Sequence, residues 1–166
     1  LAHFGLNSHY VTRLPKHDIG EAAVRALRAE GVKTDFILRG GDRVGVYFVE
    51  TGASQRASGV IYDRARSAIS ELEPGTIDWP AVFRGAGWFH VTGITPALGE
   101  KAAVCTREAL EAAKEAGVRV SVDLNFRKKL WSETEAQGVM RPLMRYVDLV
   151  IANEEDIQSV LGLEVP

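Results

Sequence analysis

The sequence contains a single cysteine, Cys105, and therefore cannot form an internal disulfide bond. Alanine and leucine residues surround Cys105 at helical spacing, so we expect a buried thiol on a helix rather than a nucleophile. A chain without disulfides is typical of a reducing compartment. We therefore predict that the protein is cytoplasmic.

Charge and hydrophobicity exclude two further classes of partner. The chain has 20 lysine and arginine residues against 22 acidic residues, a net charge of −2, and lacks the basic excess that nucleic acid and anionic membranes favour. No apolar run approaches the roughly 18 residues of a membrane span, and no signal-peptide pattern opens the sequence. We expect neither a nucleic-acid nor a membrane partner.

Common metal and cofactor motifs are also missing. The four histidines lie in no H-x-x-H or H-E-x-x-H pattern, so no zinc site is expected. The glycines at 40–41 lack the Lys-Ser/Thr of a P-loop, and those at 85–87 lack the third glycine of a dinucleotide-binding turn. The chemistry of the chain must rest on other residues.

Strand and helix patterns alternate along most of the chain, whose 46% hydrophobic and 25% charged residues are typical of one globular domain. Strands are predicted at 8–13, 87–91, 118–123 and 147–152, and helices at 18–28, 98–116, 134–146 and 154–161. Asp18 and Asn153 are expected helix caps, and Gly31 and Gly117 helix terminators. This order predicts an α/β fold with a parallel sheet.

Segment 36–62 has a different pattern. Its short runs are rich in Val, Ile, Tyr and Phe and are interrupted by G-G-D at 40–42 and T-G-A at 51–53, which predicts antiparallel strands. Val44, Val46 and Phe48 alternate with their neighbours and would form one apolar face. The segment is therefore a candidate side sheet, with an ordinary exposed hairpin as the alternative.

In segment 120–131, V-S-V-D-L-N-F-R-K-K-L-W, an apolar strand runs directly into polar residues. The carboxyl ends of parallel strands border the ligand crevice of an α/β sheet, so Asp123, Asn125 and Arg127 are candidate binding residues. The planar fork of an arginine suits a carboxylate or a phosphate. Alternatively, Asp123 and Asn125 only end the strand and cap the next helix.

Several motifs, taken in order, resemble a known family. They are V-T-R-L at 11–14, E-G-V-K-T at 30–34, V-G-V-Y-F-V-E at 44–50, V-I-Y-D-R-A-R-S-A at 60–68, D-L-N-F-R-K-K-L-W at 123–131 and N-E-E-D at 153–156. The chain is similar to the ribokinase-like carbohydrate kinases of the phosphofructokinase-B type, and within them to the 2-keto-3-deoxygluconate kinases.

The resemblance implies part of a three-layer ribokinase-like fold, with a mainly parallel central sheet and a small antiparallel lid. Residues 1–35 and 63–166 would belong to the α/β kinase domain and 36–62 to the lid sheet, which also implies a homo-oligomer formed through the lid. The family's amino-terminal sugar-holding strand and its later G-A-G-D motif, which supplies the catalytic base, are absent from the sequence. We therefore expect an internal piece of a longer kinase that is inactive by itself.

The resemblance also implies substrate-binding roles for four residues. Tyr47 and Tyr62 match tyrosines that contact a sugar acid, while Arg64 and Arg127 match arginines that hold its carboxylate and keto end. Strand packing is the alternative for the tyrosines. Structural ion pairs with neighbouring aspartates are the alternative for the arginines.

Four further residues are implied near the phosphate and magnesium, without a direct metal ligand among them: Asp123, Asn125, Asn153 and Asp156. Asn153 and Asp156 match an Asn-x-x-Glu motif, but the aspartate is shorter by one methylene, about 1.5 Å. Helix capping by Asn153 is an alternative explanation of that segment.

The implied reaction is transfer of the γ-phosphate of ATP, assisted by Mg²⁺, to a hydroxyl of a small sugar acid such as 2-keto-3-deoxygluconate. Kinases of a neutral sugar, such as fructokinase or ribokinase, are the alternative in the same family. A non-catalytic module that binds a sugar acid or forms dimers is the alternative from another class.

Overall fold

The computed structural model describes residues 1–164, which divide into two compact units, one spanning Leu1–Leu72 and the other starting at Glu73. Each unit is an α/β arrangement with a parallel sheet of its own. None of the helices that the structure describes is long and apolar enough to span a membrane.

The first unit contains a small parallel sheet and one long helix. Strand β1 (Thr12–Leu14) leads into helix α1 (Asp18–Ala29) and then into β2 (Ile37–Arg39), which pairs with β1 in parallel. Helix α1 buries Val24, and Gly31 ends it with φ +76°, as predicted. The predicted cap is wrong, because His17 occupies the cap position without a side-chain hydrogen bond and Asp18 is the first helical residue.

The remaining strands of this unit form an antiparallel hairpin of β3 (Val46–Glu50) and β4 (Gly59–Asp63), in which Tyr47 lies opposite Tyr62. The expectation of antiparallel strands in segment 36–62 is confirmed for β3 and β4. It is wrong for the start of the segment, because β2 pairs in parallel with β1. The assignment of the whole segment to a lid remains a prediction. Short 3₁₀ helices lie at Ala2–Phe4 and Ala68–Glu71.

The second unit has a parallel sheet of three strands in the order β5, β6, β7. Its elements in sequence are α2 (Trp79–Phe83), β5 (Trp88–Thr92), α3 (Glu100–Glu115), β6 (Arg119–Asp123), α4 (Glu133–Leu143), β7 (Leu149–Ile151) and α5 (Glu154–Asp156), which continues as a π-helix at Ile157–Leu161. The central strand β6 is buried along Val120, Ser121 and Val122. Further 3₁₀ turns lie at Pro96–Leu98 and Met144–Tyr146.

The ends of the helices in the second unit follow the local sequence signals. Gly117 lies after α3 with φ +69°, and Asn153 caps α5 by accepting a hydrogen bond from the Asp156 amide at 2.7 Å, both as predicted. Ser132 and Glu135 form a reciprocal capping box at the start of α4. Helix α3 buries Cys105, and burial raises the pKa of its thiol to about 11, so this cysteine is not an activated nucleophile.

Candidate functional site

The carboxyl end of β6 is held tightly by the neighbouring strands. The Gly93 amide donates to the Asp123 carbonyl at 2.8 Å, and the Leu124 amide donates to the Ile151 carbonyl at 3.0 Å. Leu124 and Phe126 are buried, whereas Asp123, Asn125 and Arg127 keep partial or full exposure. Buried apolar residues therefore alternate with polar ones in this segment, so the apolar residues hold it in place and the three predicted binding residues remain accessible.

Asn125 has a left-handed backbone, with φ +42°. Asparagine is one of the few residues other than glycine that adopt this conformation without a large penalty. Its side-chain Nδ2 donates to Thr92 Oγ1 at 3.2 Å, across from the end of β6 to the end of β5. Asn125 therefore has a structural role in shaping this turn. It is not the cap of the next helix, since that position belongs to Ser132.

Arg127 is exposed, and its Nη1 donates to the Phe126 carbonyl at 2.9 Å. Among the residues that the structure describes, Arg127 forms no ion pair at contact distance with Asp123 or any other carboxylate. The guanidinium thus lies against the backbone of its own turn. Its remaining N–H groups are available to an anion.

Asp156 approaches the same turn from α5. Burial raises the pKa of its carboxyl group, while a hydrogen bond from the Phe126 amide and the charge of Arg127 oppose that shift, and the negative charge of Asp123 adds to it. The charges of Asp123 and Arg127 therefore act on Asp156 within the second unit. The side-chain oxygen of Asn153 is used as a helix cap, which agrees with the structural alternative for that residue.

A second group of predicted residues lies on the hairpin of the first unit. The Tyr47 and Tyr62 rings face each other with centroids 6.3 Å apart, and the Arg64 guanidinium carbon lies 4.3 Å from the centroid of the Tyr62 ring. Asp63 forms its ion pair with Arg43, so the proposed alternative of an Arg64–Asp63 pair is not what the structure shows. Stacking of a guanidinium on an aromatic ring orients it and leaves its edge free for a carboxylate.

Thr92 and Gly93 lie beside the carboxyl end of β6 but were not predicted from the sequence as site residues. A Cβ at Gly93 would lie 2.1 Å from the Leu124 carbonyl oxygen, so only glycine allows the ends of β5 and β6 to approach this closely. The available signal was a Thr-Gly pair at the end of one strand, followed by a polar end on the next strand. The contact itself joins residues about thirty positions apart, which no local pattern reveals.

The donor set near β6 is not a metal cage. Within residues 1–164, no three His, Cys, Asp or Glu side chains lie close enough together to hold a metal ion. Asp123 and Asp156 supply two carboxylates near one arginine. Such a pair suits a cation that is held mostly by a substrate's phosphates, as Mg²⁺ often is, and does not suit a structural metal.

The fold is that of an α/β protein with polar residues at a strand end, and comparison with known proteins gives its family. The sequence pattern of the pfkB family of carbohydrate kinases matches residues 1–165, and the chain belongs to this family. The expected ribokinase-like α/β fold class is confirmed by the similarity of this chain to solved structures of the same family.

A solved structure of 2-dehydro-3-deoxygluconokinase from Thermotoga maritima is 55% identical in sequence, with a TM-score of 0.95 over 97% of this chain and 49% of that chain. The 2-dehydro-3-deoxygalactonokinase of Haloferax volcanii is 36% identical over 96% of this chain and 50% of its own length. The 2-dehydro-3-deoxygluconokinase of Bacillus subtilis is 29% identical over 80% of this chain and 41% of its own length. The chain thus spans about half the length of these relatives.

Proposed function

We propose that this chain is part of a longer kinase, which we call the parent protein, and that the parent protein phosphorylates a hydroxyl of a small sugar acid. The proposed acceptor is 2-keto-3-deoxygluconate and the proposed donor is ATP. The observation that carries the proposal is the state of Arg64 and Arg127. Each is oriented by its own surroundings, and neither is neutralised by a carboxylate at contact distance among the described residues.

The two guanidinium groups account for a preference for an acid. A hydrogen bond to a charged group contributes about 1.5–3 kcal/mol, roughly twice a neutral one, so each arginine would favour a sugar acid over a neutral hexose. Tyr47 and Tyr62 add ring surface and hydroxyl groups beside Arg64 on an exposed hairpin. A hairpin that closes over the acceptor would exclude water from the phosphoryl transfer.

Mg²⁺ and the phosphates of ATP would lie near the end of β6 in this proposal. The partly buried carboxylates of Asp123 and Asp156 would add negative charge beside a cation whose ligands are mainly phosphate oxygens, without binding it directly. The cation supplies neutralisation of phosphate charge when bound. Asn153 and Asn125, as cap and turn residues, would fix the backbone around these carboxylates without contacting the cation directly.

We place the base that removes the acceptor's proton outside this chain, because the sequence lacks the G-A-G-D motif that supplies this base in the family. Residues 1–166 alone should therefore not phosphorylate the sugar acid.

We also propose a cytoplasmic location and a homo-oligomer that forms through the hairpin. The support for the oligomer is that every residue of β3 and β4 is exposed, including Phe48 and Ile61.

The substrate assignment is tested in the parent protein with the Arg127→Ala variant. Because the lost contact is to the acceptor's carboxylate, KM for the sugar acid should rise roughly ten- to a hundredfold while KM for ATP changes little. Arg84→Ala, which removes another exposed arginine of the same unit, serves as the control and should change neither constant. An equal change in both KM values for Arg127→Ala would refute the assignment.

A neutral-sugar kinase is the second candidate, because a fructokinase from Solanum habrochaites is 28% identical over 95% of this chain. Activity of the parent protein toward fructose and 2-keto-3-deoxygluconate should be compared directly. A higher kcat/KM for the sugar acid supports our proposal, and a higher value for fructose refutes it. Binding of the acid without ATP-dependent turnover would favour a non-catalytic module.

A further inference from the structure

The hydroxyl of Thr92 is a polar group at the end of β5 that contacts the turn after the neighbouring strand. Its Oγ1 accepts from Asn125 Nδ2 at 3.2 Å and lies 3.5 Å from the Ile94 amide. The oxygen therefore joins the turn after β5 to the turn after β6. The two turns also meet at Gly93, where a side chain would collide with the Leu124 carbonyl.

The turn after β6 contains a residue in the left-handed conformation. Asn125 has φ +42°, which asparagine adopts more readily than most residues but which the surroundings must still select. The apolar neighbours Leu124 and Phe126 are buried and fix the path of the chain on both sides. The hydrogen bond to Thr92 is the contact that fixes the Asn125 side chain itself.

The position of the Arg127 head group depends on this turn. Its Nη1 donates to the Phe126 carbonyl at 2.9 Å, so a rotation of the Asn125–Phe126 backbone would move the acceptor on which the guanidinium rests. The Phe126 amide, on the other side of the same residue, lowers the pKa of the Asp156 carboxyl group. A shift at Asn125 is thus transmitted to Arg127 through a single peptide segment.

We propose that Thr92 is a positioning residue: its hydroxyl holds Asn125 in the left-handed conformation and thereby places the Arg127 guanidinium for the acceptor's carboxylate. The inference rests on the proposed function for the role of Arg127, and adds Thr92 as a residue that determines acceptor affinity without contacting the acceptor. Thr92→Val removes the hydroxyl at nearly constant volume, and Thr92→Ser retains it.

The functional test is a double-mutant cycle in the parent protein. Thr92→Val should raise KM for the sugar acid about three- to tenfold with KM for ATP unchanged, and Thr92→Ser should restore most of the affinity. In an Arg127→Ala background, Thr92→Val should change the acceptor KM less than about twofold, because the group that it positions is gone. The same rise in both backgrounds would overturn the proposal.

The Thr106→Val variant tests whether a higher acceptor KM comes from a general loss of stability rather than from a displaced Arg127. Thr106 is buried on α3 and its hydroxyl donates to the Ala102 carbonyl at 2.8 Å, so this variant loses a hydrogen bond within a helix and none to Asn125. It should lower the unfolding temperature without changing the acceptor KM. If Thr106→Val raises that KM as much as Thr92→Val does, the effect is destabilisation and the proposal fails.

Amide hydrogen exchange tests the conformational link independently of any kinase activity. Exchange at the Phe126 amide should be about three- to tenfold faster in Thr92→Val than in Thr92→Ser, since the turn opens more often without the hydroxyl. Equal exchange in the two variants would overturn the inference even if the sugar-acid assignment holds. Conversely, an unchanged acceptor KM in Arg127→Ala refutes the proposed function, and the exchange rates then still decide whether Thr92 holds the turn.

Discussion

The β3–β4 hairpin and the β5–β6–β7 sheet are both small β-structures that carry predicted site residues, but their surroundings differ. Every residue of the hairpin is exposed, whereas the central strand of the sheet buries Val120, Ser121 and Val122. The hairpin is held by cross-strand pairs, each worth about 0.2–1 kcal/mol, while the sheet is held by burial of apolar surface against helices. An isolated pair of strands is only marginally stable in water.

The difference separates two ways of presenting a side chain to a ligand. Arg127 follows a strand end whose backbone is fixed by Gly93, Leu124 and Ile151, so its position is set before a ligand arrives. Arg64 lies on the Tyr62 ring at the edge of an exposed hairpin, so an aromatic contact at the surface orients it rather than a buried strand end.

The largest expected effect is a contrast between two apolar truncations in the parent protein. Leu124→Ala should cost about 2–5 kcal/mol of unfolding free energy because Leu124 is fully buried. Phe48→Ala, at 60% exposure on the hairpin, should cost about 1 kcal/mol or less. Denaturant unfolding measures both. Equal costs would contradict the contrast between a buried sheet and an exposed hairpin.

The same Phe48→Ala variant addresses the proposed oligomer. If the hairpin contacts a second copy, truncation of Phe48 should weaken self-association in analytical ultracentrifugation although it leaves the monomer folded. Leu124→Ala, compared at a denaturant-free condition where it remains folded, should leave the association constant unchanged. Unchanged association in Phe48→Ala would place the contact elsewhere.

The second effect concerns the close approach of β5 and β6. Gly93→Ala places a methyl group 2.1 Å from the Leu124 carbonyl oxygen and should cost about 1–3 kcal/mol, because the backbone of one strand end must move. Gly138→Ala is the matched control, since it lies inside α4 with no heavy atom within 4 Å of the added Cβ, and should be neutral or stabilise by about 1 kcal/mol. Thermal unfolding of both variants distinguishes them. A neutral Gly93→Ala would show that this strand end is not rigid.

Local patterns in the sequence predicted much of the fold and of the site. Helix α3, the cap at Asn153 and the polar end of β6 follow from periodicity and from residues a few positions apart. The partner of β2 was missed because strand pairing depends on residues far apart in the sequence. The composition of β2 resembles that of the hairpin that follows, but Ile37 pairs with Thr12, on the other side of α1 in the sequence.

Local sequence patterns also did not predict which side chains pair with one another. Asp63 pairs with Arg43 rather than with its neighbour Arg64, because the alternating directions of side chains on a strand point neighbours apart. Thr92 and Asn125 lie at the ends of two different strands and meet only once the sheet has formed. The polar strand end was thus predictable from the sequence, whereas the contacts that hold it were not, and the binding roles of its residues remain a prediction.

The smallest expected effect is a pH dependence of the sheet's stability through Asp148, which precedes β7. A hydrogen bond from the Val120 amide at 2.8 Å, together with Lys114 at 2.9 Å, lowers the pKa of the Asp148 carboxyl group below its ordinary value of 3.8. Because the pKa of Asp148 is lower in the folded protein, its contribution to stability is fully present above pH 3.8 and is lost as the pH falls through the folded value.

Asp148→Asn should therefore be less stable than the native protein at neutral pH and should lose less stability on acidification. Lys114→Gln, which removes only one of the two partners, should reproduce part of this change. Acid titration of the unfolding free energy measures all three proteins, and parallel curves for the native protein and Asp148→Asn would show that this end of the sheet gains no stability from the charge of Asp148.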